Sequence, residues 1–383
     1  MSLLDFFKKK PIKYEKPSEP NNVGKEKLKQ NNIIAKPQIK ITTQVISSNA
    51  DDIIPVEKRI KNAYASKHGL YPHEILVLDY AESFFTDQES FQGFWWYRYG
   101  VKDVQYCLRN LVERGFIKIG DLQNAIKIET TTVLKNELKN HGLKVSGKKE
   151  ELVQRLLAEV SHEELNLIFS KRTYQLTELG NQALEEEDYI PYIHRHAIED
   201  LDIWSLNKIM YKSSSISYRD KIWEYLNKHS MKYFSVGDFG LYRNCRYHMY
   251  LFLLEEKKVM DAVGMLAEVV FYDLSGLNNN YNPEYLYISA KHFFPYKESS
   301  VTMAPGIINA VIQCQKDLNL SDEELKLVLL DRMKVLSVPM HLFTPEECVD
   351  ILFMENCKDI DALTRIYAKA KQRFKQNYPD IKC

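Results

Sequence analysis

No apolar run in this sequence approaches the roughly 18 residues that a membrane-spanning helix needs, so no segment reads as a membrane span. An excess of one charge is missing as well: 52 Lys and Arg balance 52 Asp and Glu. That excludes a surface coated throughout for nucleic acid, and any such contact must be a local patch. The six cysteines (Cys107, Cys245, Cys314, Cys348, Cys357 and Cys383) form no CxxC pair. Scattered in this way, with no signal peptide in view, they predict reduced thiols and a cytoplasmic protein. Both phosphate-binding signatures of nucleotide hydrolysis are absent, GxxxxGK followed by Ser or Thr and a strand-linked GxGxxG. HExxH and GxSxG are absent too. No cofactor or metal is therefore expected, and no fixed period marks a solenoid.

What is present is enough apolar content, 45%, for real cores. The 383 residues suit two or three domains at roughly 150 residues each. Residues 1 to about 60 read as a disordered basic tail, with prolines spread among Lys, Asn and Gln. The opening MSLLDFFKKK is an apolar knot ahead of lysines, suited to a groove on a partner or an anionic membrane surface. It faintly resembles the short peptides that bind sliding clamps, but lacks their glutamine.

Folded structure is expected from near Gly69, with Pro72 and Glu74 opening a helix. Residues 91–101, FQGFWWYRYGV, read as strand or loop. Trp95 and Trp96 fit either a base-stacking platform or a packed core, and large aromatics usually build the core. Val104, Cys107, Leu108 and Leu111 make a helical stripe that Gly115 ends, and residues 116–119 read as a strand.

Between Thr130 and Val160 the spacing changes character. Leu134 and Leu138 share one helix face, with Lys135 and Lys139 one step round it. Thr131 or Thr132 suits the N-cap and Gly142 the stop. Leu143 and Val145 alternate along an extended link, and Ser146 or Gly147 suits the cap of a second helix carrying Leu152 and Leu156. Two short amphipathic helices result, whose leucines bury against each other. The second would offer free amides to an anion between two lysines, although Glu150 and Glu151 weaken that field. The run GLKVSGKKEEL resembles the SAP motif, a helix–extended–helix DNA-binding module of chromatin, repair and phage proteins. The resemblance implies contact with the phosphates of duplex DNA through Lys144, Ser146, Gly147, Lys148 and Lys149, with Lys135 and Lys139 beside them. No Asn, Gln or Arg array stands ready to read base edges, so little sequence preference is expected. The alternative is a helical hairpin with a solvated charged face.

NLVERGFIKI before this segment and YQLTELG after it resemble the recognition-helix end, first wing strand and closing strand of a winged helix. A winged-helix-like unit over 69–188, with the SAP hairpin inserted at 130–160, is the expectation. Its helix at 103–114 carries a mixed face of Asp103, Arg109, Glu113 and Arg114, which suits a platform better than a DNA reader. Residues 189–383 read as an all-helical domain, with helices at 218–229, 242–256, 259–274, 305–318, 322–336, 345–354 and 360–378. The fold class is thus mainly α.

Three other clusters are candidates for chemistry. His194 and His196 have the spacing of a strand-borne metal site but no third ligand. Glu185 to Asp188 could hold Mg²⁺, or simply form a solvated helix end. Arg243, Arg246 and His248 beside Tyr242, Tyr247 and Tyr250 suit a basic-aromatic patch, or a helix with cations outward and rings inward. Cys107 lies on an apolar face and should be inert. The reading is a non-enzymatic DNA-binding protein of bacterial or prophage type, its Asn, Lys and Ile content suggesting an AT-rich genome. Its helical C-terminal region is available to a protein partner, and its oligomeric state stays open. The alternatives are an interaction scaffold, or a DNA-processing enzyme using an unrecognised site.

Overall fold

The first described elements are a short helix, α1 (Val56–Arg59), and a 3-10 turn, Ile60–Asn62. The structure, a computed structural model, describes residues 53–212, 216–277, 286–294 and 302–381. The expected disordered tail extends to about residue 60; residues 1–52, with the apolar knot, lie outside the described residues, whereas its last part holds α1 and the start of the 3-10 turn. Order thus starts ahead of Gly69, because the Val56 amide donates to the carbonyl of Gly100 at 3.0 Å. Such a long-range backbone contact leaves no trace in hydrophobic periodicity.

Helix α2 (Pro72–Tyr80) starts where Pro72 pre-sets φ and Glu74 accepts the Tyr71 amide at 2.8 Å. The aromatic run forms one helical turn, α3 (Phe94–Tyr97), where strand or loop was expected. Trp95 is buried there and donates its indole N–H to Gln92 at 3.1 Å, so it packs. Half-buried Trp96 lies under the Lys102 ammonium, 4.6 Å from its ring centre. Helix α4 (Val104–Glu113) buries the expected stripe, with the Asp103 carboxylate capping its first turn. Cys107 sits in that stripe, and burial pushes its thiol up to about 12.

Strand β1 (Ile117–Ile119) follows, and its partner comes only after four further helices. These are α5 (Leu122–Ile128), α6 (Thr131–Asn140), α7 (Lys149–Glu159) and α8 (His162–Ile168). Strand β2 (Tyr174–Leu176) then pairs antiparallel with β1, Ile117 opposite Leu176 and Ile119 opposite Tyr174. The helices are therefore an insertion between two strands of one ribbon. Thr177 caps α9 (Glu178–Glu186) and donates its hydroxyl to Gly115 O at 2.7 Å, tying this helix to the end of α4.

The rest is helical: α10 (Tyr189–Arg195), α11 (Ile203–Tyr211), α12 (Tyr218–Ser235), α13 (Phe239–Glu255) and α14 (Val259–Leu274). Then come α15 (Leu286–Phe293), α16 (Pro305–Leu318), α17 (Asp322–Lys334), α18 (Pro345–Cys357) and α19 (Ile360–Asn377). Ser321 and Thr344 close capping boxes with Glu324 and Glu347 at the starts of α17 and α18. Among the described residues no helix is long and apolar enough to cross a membrane.

Three cores hold these elements. The first gathers α2, α4, β1, α10 and α11 and reaches Cys245, Met249 and Phe252 of α13. The second takes the other face of α13, through Phe239, Tyr242, Tyr250 and Leu253, and fills the space among α14 to α19. Helix α13 is thus a wall common to both. The third core belongs to the insertion and shares no residue with the other two.

Candidate nucleic-acid interface

Helix α6 begins at Thr130, one residue before the caps expected from the sequence, where Oγ1 accepts the Val133 amide at 3.3 Å. Leu134 and Leu138 are fully buried, while Lys135 and Lys139 stay exposed. The helix ends in a Schellman pattern: Gly142 at φ +67° donates to Lys139 O at 3.0 Å and Leu143 to Leu138 O at 2.7 Å. This turns the chain back towards α7.

Residues 143–148 form the irregular link. Gly147 stands at φ +133°, and a Cβ there would lie 2.4 Å from Glu151 Oε2. The positive φ favours glycine, whereas the Glu151 carboxylate, at the end of a flexible side chain, can swing aside. Lys148, and neither Ser146 nor Gly147, occupies the N-cap of α7, with no side-chain cap bond. The early amides of α7 are therefore not covered by a capping side chain of the chain's own. Lys144, Ser146, Gly147 and Lys148 are exposed and Lys149 is half-buried at this end. Among the described residues none of Lys135, Lys139, Lys144, Lys148 and Lys149 sits in an ion pair. Glu150 and Glu151 follow in the first turn.

Arg155 is the residue that sequence reasoning missed. Its Nη1 donates to Lys144 O at 2.5 Å and to Ser146 O at 3.1 Å, clasping the link against α7. The available signal was its place beside the Leu152–Leu156 face, which aims a long cation back over the first turn. Arg155→Ala should leave α6 and α7 helical and loosen the link. A loss of about 1 kcal/mol per freed hydrogen bond is typical, so a several-fold drop in affinity for duplex is expected, read by anisotropy beside an unchanged far-ultraviolet circular dichroism spectrum.

The buried leucines do more than meet each other. Ala125 and Ile126 of α5, and Leu165 and Phe169 at α8, complete their core. Asp121 and Ser161 cap these two short flanking helices. His141 ties the unit together: Nδ1 lies 2.9 Å from Glu137 O and Nε2 3.1 Å from Glu164 Oε1. The bond to the Glu137 carbonyl, followed by that to Glu164, raises its pKa. The imidazolium's contribution is therefore fully present below the ordinary histidine value of about 6.5. It is lost as pH rises through the raised folded value. In an NMR titration the His141 midpoint should exceed that of a free histidine, and Glu164→Gln should lower it.

The other clusters make contacts within the fold. His194 Nε2 and Nδ1 each lie 2.7 Å from a phenol oxygen, those of Tyr80 and Tyr99, and burial lowers its pKa to about 4. His196 instead pairs with Glu255 at 3.0 Å. Among the described residues no cluster of three or more His, Cys, Asp or Glu is arranged around a metal position. In the acidic run, Glu186 engages Lys67 and His68. The arginines of α13 point inward, contrary to the sequence reading: Arg243 grips Asp273 at 2.8 Å and Arg246 meets buried Glu268 at 3.0 Å. Carboxylates on α14, buried Glu268 and half-buried Asp273, draw them in, so they form no free basic patch.

Residues 130–160 match the SAP domain family. No curated protein matches the chain. The matched segment coincides with α6, the clasped link and α7, and the structure extends its core to the flanking helices α5 and α8. A SAP domain is a nucleic-acid-binding module.

Proposed function

We propose, taking the SAP domain at residues 130–160 as the premise, that this protein binds duplex DNA through its phosphates, with little sequence preference and without catalysing a reaction. The observation that carries this is the composition of one end of the hairpin. Lys144, Ser146, Gly147, Lys148 and Lys149 meet there at a helix start with no side-chain cap. Positive end dipole, free amides and unpaired ammonium groups together suit a phosphate. Lys135 and Lys139 extend the positive face along α6. The link presents carbonyls, a serine and lysines, and lacks the bidentate side chains that discriminate bases.

The ribbon that carries the insertion supports a winged-helix-like reading of residues 69–188, in the order α4, β1, β2, α9. In this reading α4 is a platform. Arg114 is spent on Glu74 at 2.8 Å and on Gly69 O at 2.9 Å, and Asp103 on its own helix cap. Helix α4 thus keeps little free positive charge with which to enter a groove. Residues 189–383 then serve as the helical partner-binding domain. Cytoplasmic residence fits the five free thiols among the described residues.

The test is anisotropy of labelled duplexes of unrelated sequence, titrated with the full-length protein across a salt series. Comparable affinities that weaken steeply with salt support the reading. No binding at low salt removes it. Magnesium-dependent nicking of plasmid in the same preparation, lost when Glu185–Asp188 are neutralised, would favour the enzyme reading instead.

A further inference from the structure

A groove of about 570 Å³ opens between the start of α12, the end of α13, the first half of α14 and Arg332 of α17. Its floor is apolar: Trp223 is half-buried against Phe252, and Met260 remains 46% exposed beside half-buried Met265. Methionine and tryptophan are the side chains that adaptable protein-binding surfaces favour. In the middle of this floor α14 carries Gly264. A Cβ at Gly264 would meet nothing within 4 Å, so no element of this chain requires a glycine there. A glycine inside a helix weakens it relative to alanine. Without a side chain at that position the α14 backbone is open to the groove.

Charge selects the occupant. Lys258 is matched by Glu256 at 2.7 Å, and Glu256 also takes Arg219 at 3.2 Å. Arg332 is bound to Glu268 beneath the floor. That leaves Asp220 and Asp261, each in the first turn of its helix, with no ion pair within 4 Å among the described residues; the one groove cation whose field they share, Lys258, is already held by Glu256. We propose that this groove is a docking site for a protein segment in which apolar side chains are flanked by lysine or arginine. The apolar side chains lie over Gly264 between Trp223 and Met260, and the cations face Asp220 and Asp261. The site is independent of the DNA reading, since it shares no residue with residues 130–160.

The probe is a fluorescein-labelled amphipathic helical peptide of leucine and lysine, with its leucine–glutamate counterpart as control, titrated against the full-length protein without DNA. The expected result is binding of the lysine peptide alone. Gly264→Leu, which fills the floor, and the pair Asp220→Lys with Asp261→Lys should each weaken it by at least about tenfold. Gly264→Leu should also raise the melting temperature, which separates loss of the groove from loss of the fold. Equal binding of both peptides, no binding of either, or unchanged affinity in the folded Gly264→Leu protein overturns the proposal.

Discussion

Alanine at Lys144, Lys148 and Lys149 together should remove most of the affinity for duplex DNA while leaving the fold intact. The three ammonium groups lie at one end of the hairpin, and none is engaged in an ion pair among the described residues. Their removal therefore breaks no internal contact of that kind. Each neutralised phosphate contributes about 0.9 to the slope of log affinity against log salt, so three contacts account for about 2.7. At about 0.1 M salt that corresponds to a loss of roughly several hundredfold. The measurement is a salt titration of the wild type and the triple variant side by side. A parallel shift with unchanged slope would mean that the lysines act through the fold. No shift would mean that the phosphates are met elsewhere.

Leu152→Ala should unfold the insertion and spare the remainder. Leu152 is fully buried and packs among the residues of the third core with Leu134, Leu138 and Leu156. Truncating a buried leucine costs roughly 2–5 kcal/mol. A core this small rarely supplies more than about 3–5 kcal/mol. One substitution is thus comparable with the whole stability of α5 to α8. Because the third core shares no residue with the other two, the loss should stay local. Hydrogen exchange should show protection lost over residues 122–168 and retained in α13 and α14, with affinity for duplex falling at least as far as in the triple lysine variant. Protection lost uniformly along the chain would show that the insertion is an integral part of one cooperative unit.

The helices of the C-terminal region were legible because their signals are local. The start of α17 rests on Ser321 and Glu324, and the start of α18 on Pro345 and Glu347, all within one turn. The SAP hairpin was legible for the same reason: Gly142, Gly147 and the leucines at four-residue spacing state a turn and two faces in a short stretch. The aromatic run at 91–101, expected as strand or loop, is turn and irregular backbone around the single helical turn at Phe94–Tyr97, which its rings' strand propensity did not signal. Burial of Trp95 against the first core, which propensity does not encode, decided for a helical turn.

Charged partners were the least legible feature. A sequence shows that Arg243, Arg246 and Arg332 are cations but not that Asp273 and Glu268 wait for them on α14. Their meeting is set by how α13, α14 and α17 pack. The same holds for His194, whose two phenol partners come from residues almost a hundred or more positions away in the chain. By itself the sequence determined the mainly helical class, the starts of α17 and α18 and the lysine-bearing hairpin, because capping, periodicity and turn glycines act over a few residues. Only the tertiary structure decided that Arg155 clasps the link, that α5 and α8 complete the insertion's core, and that the arginines of α13 turn inward. Each of these depends on which distant groups the packed chain brings within a few ångströms.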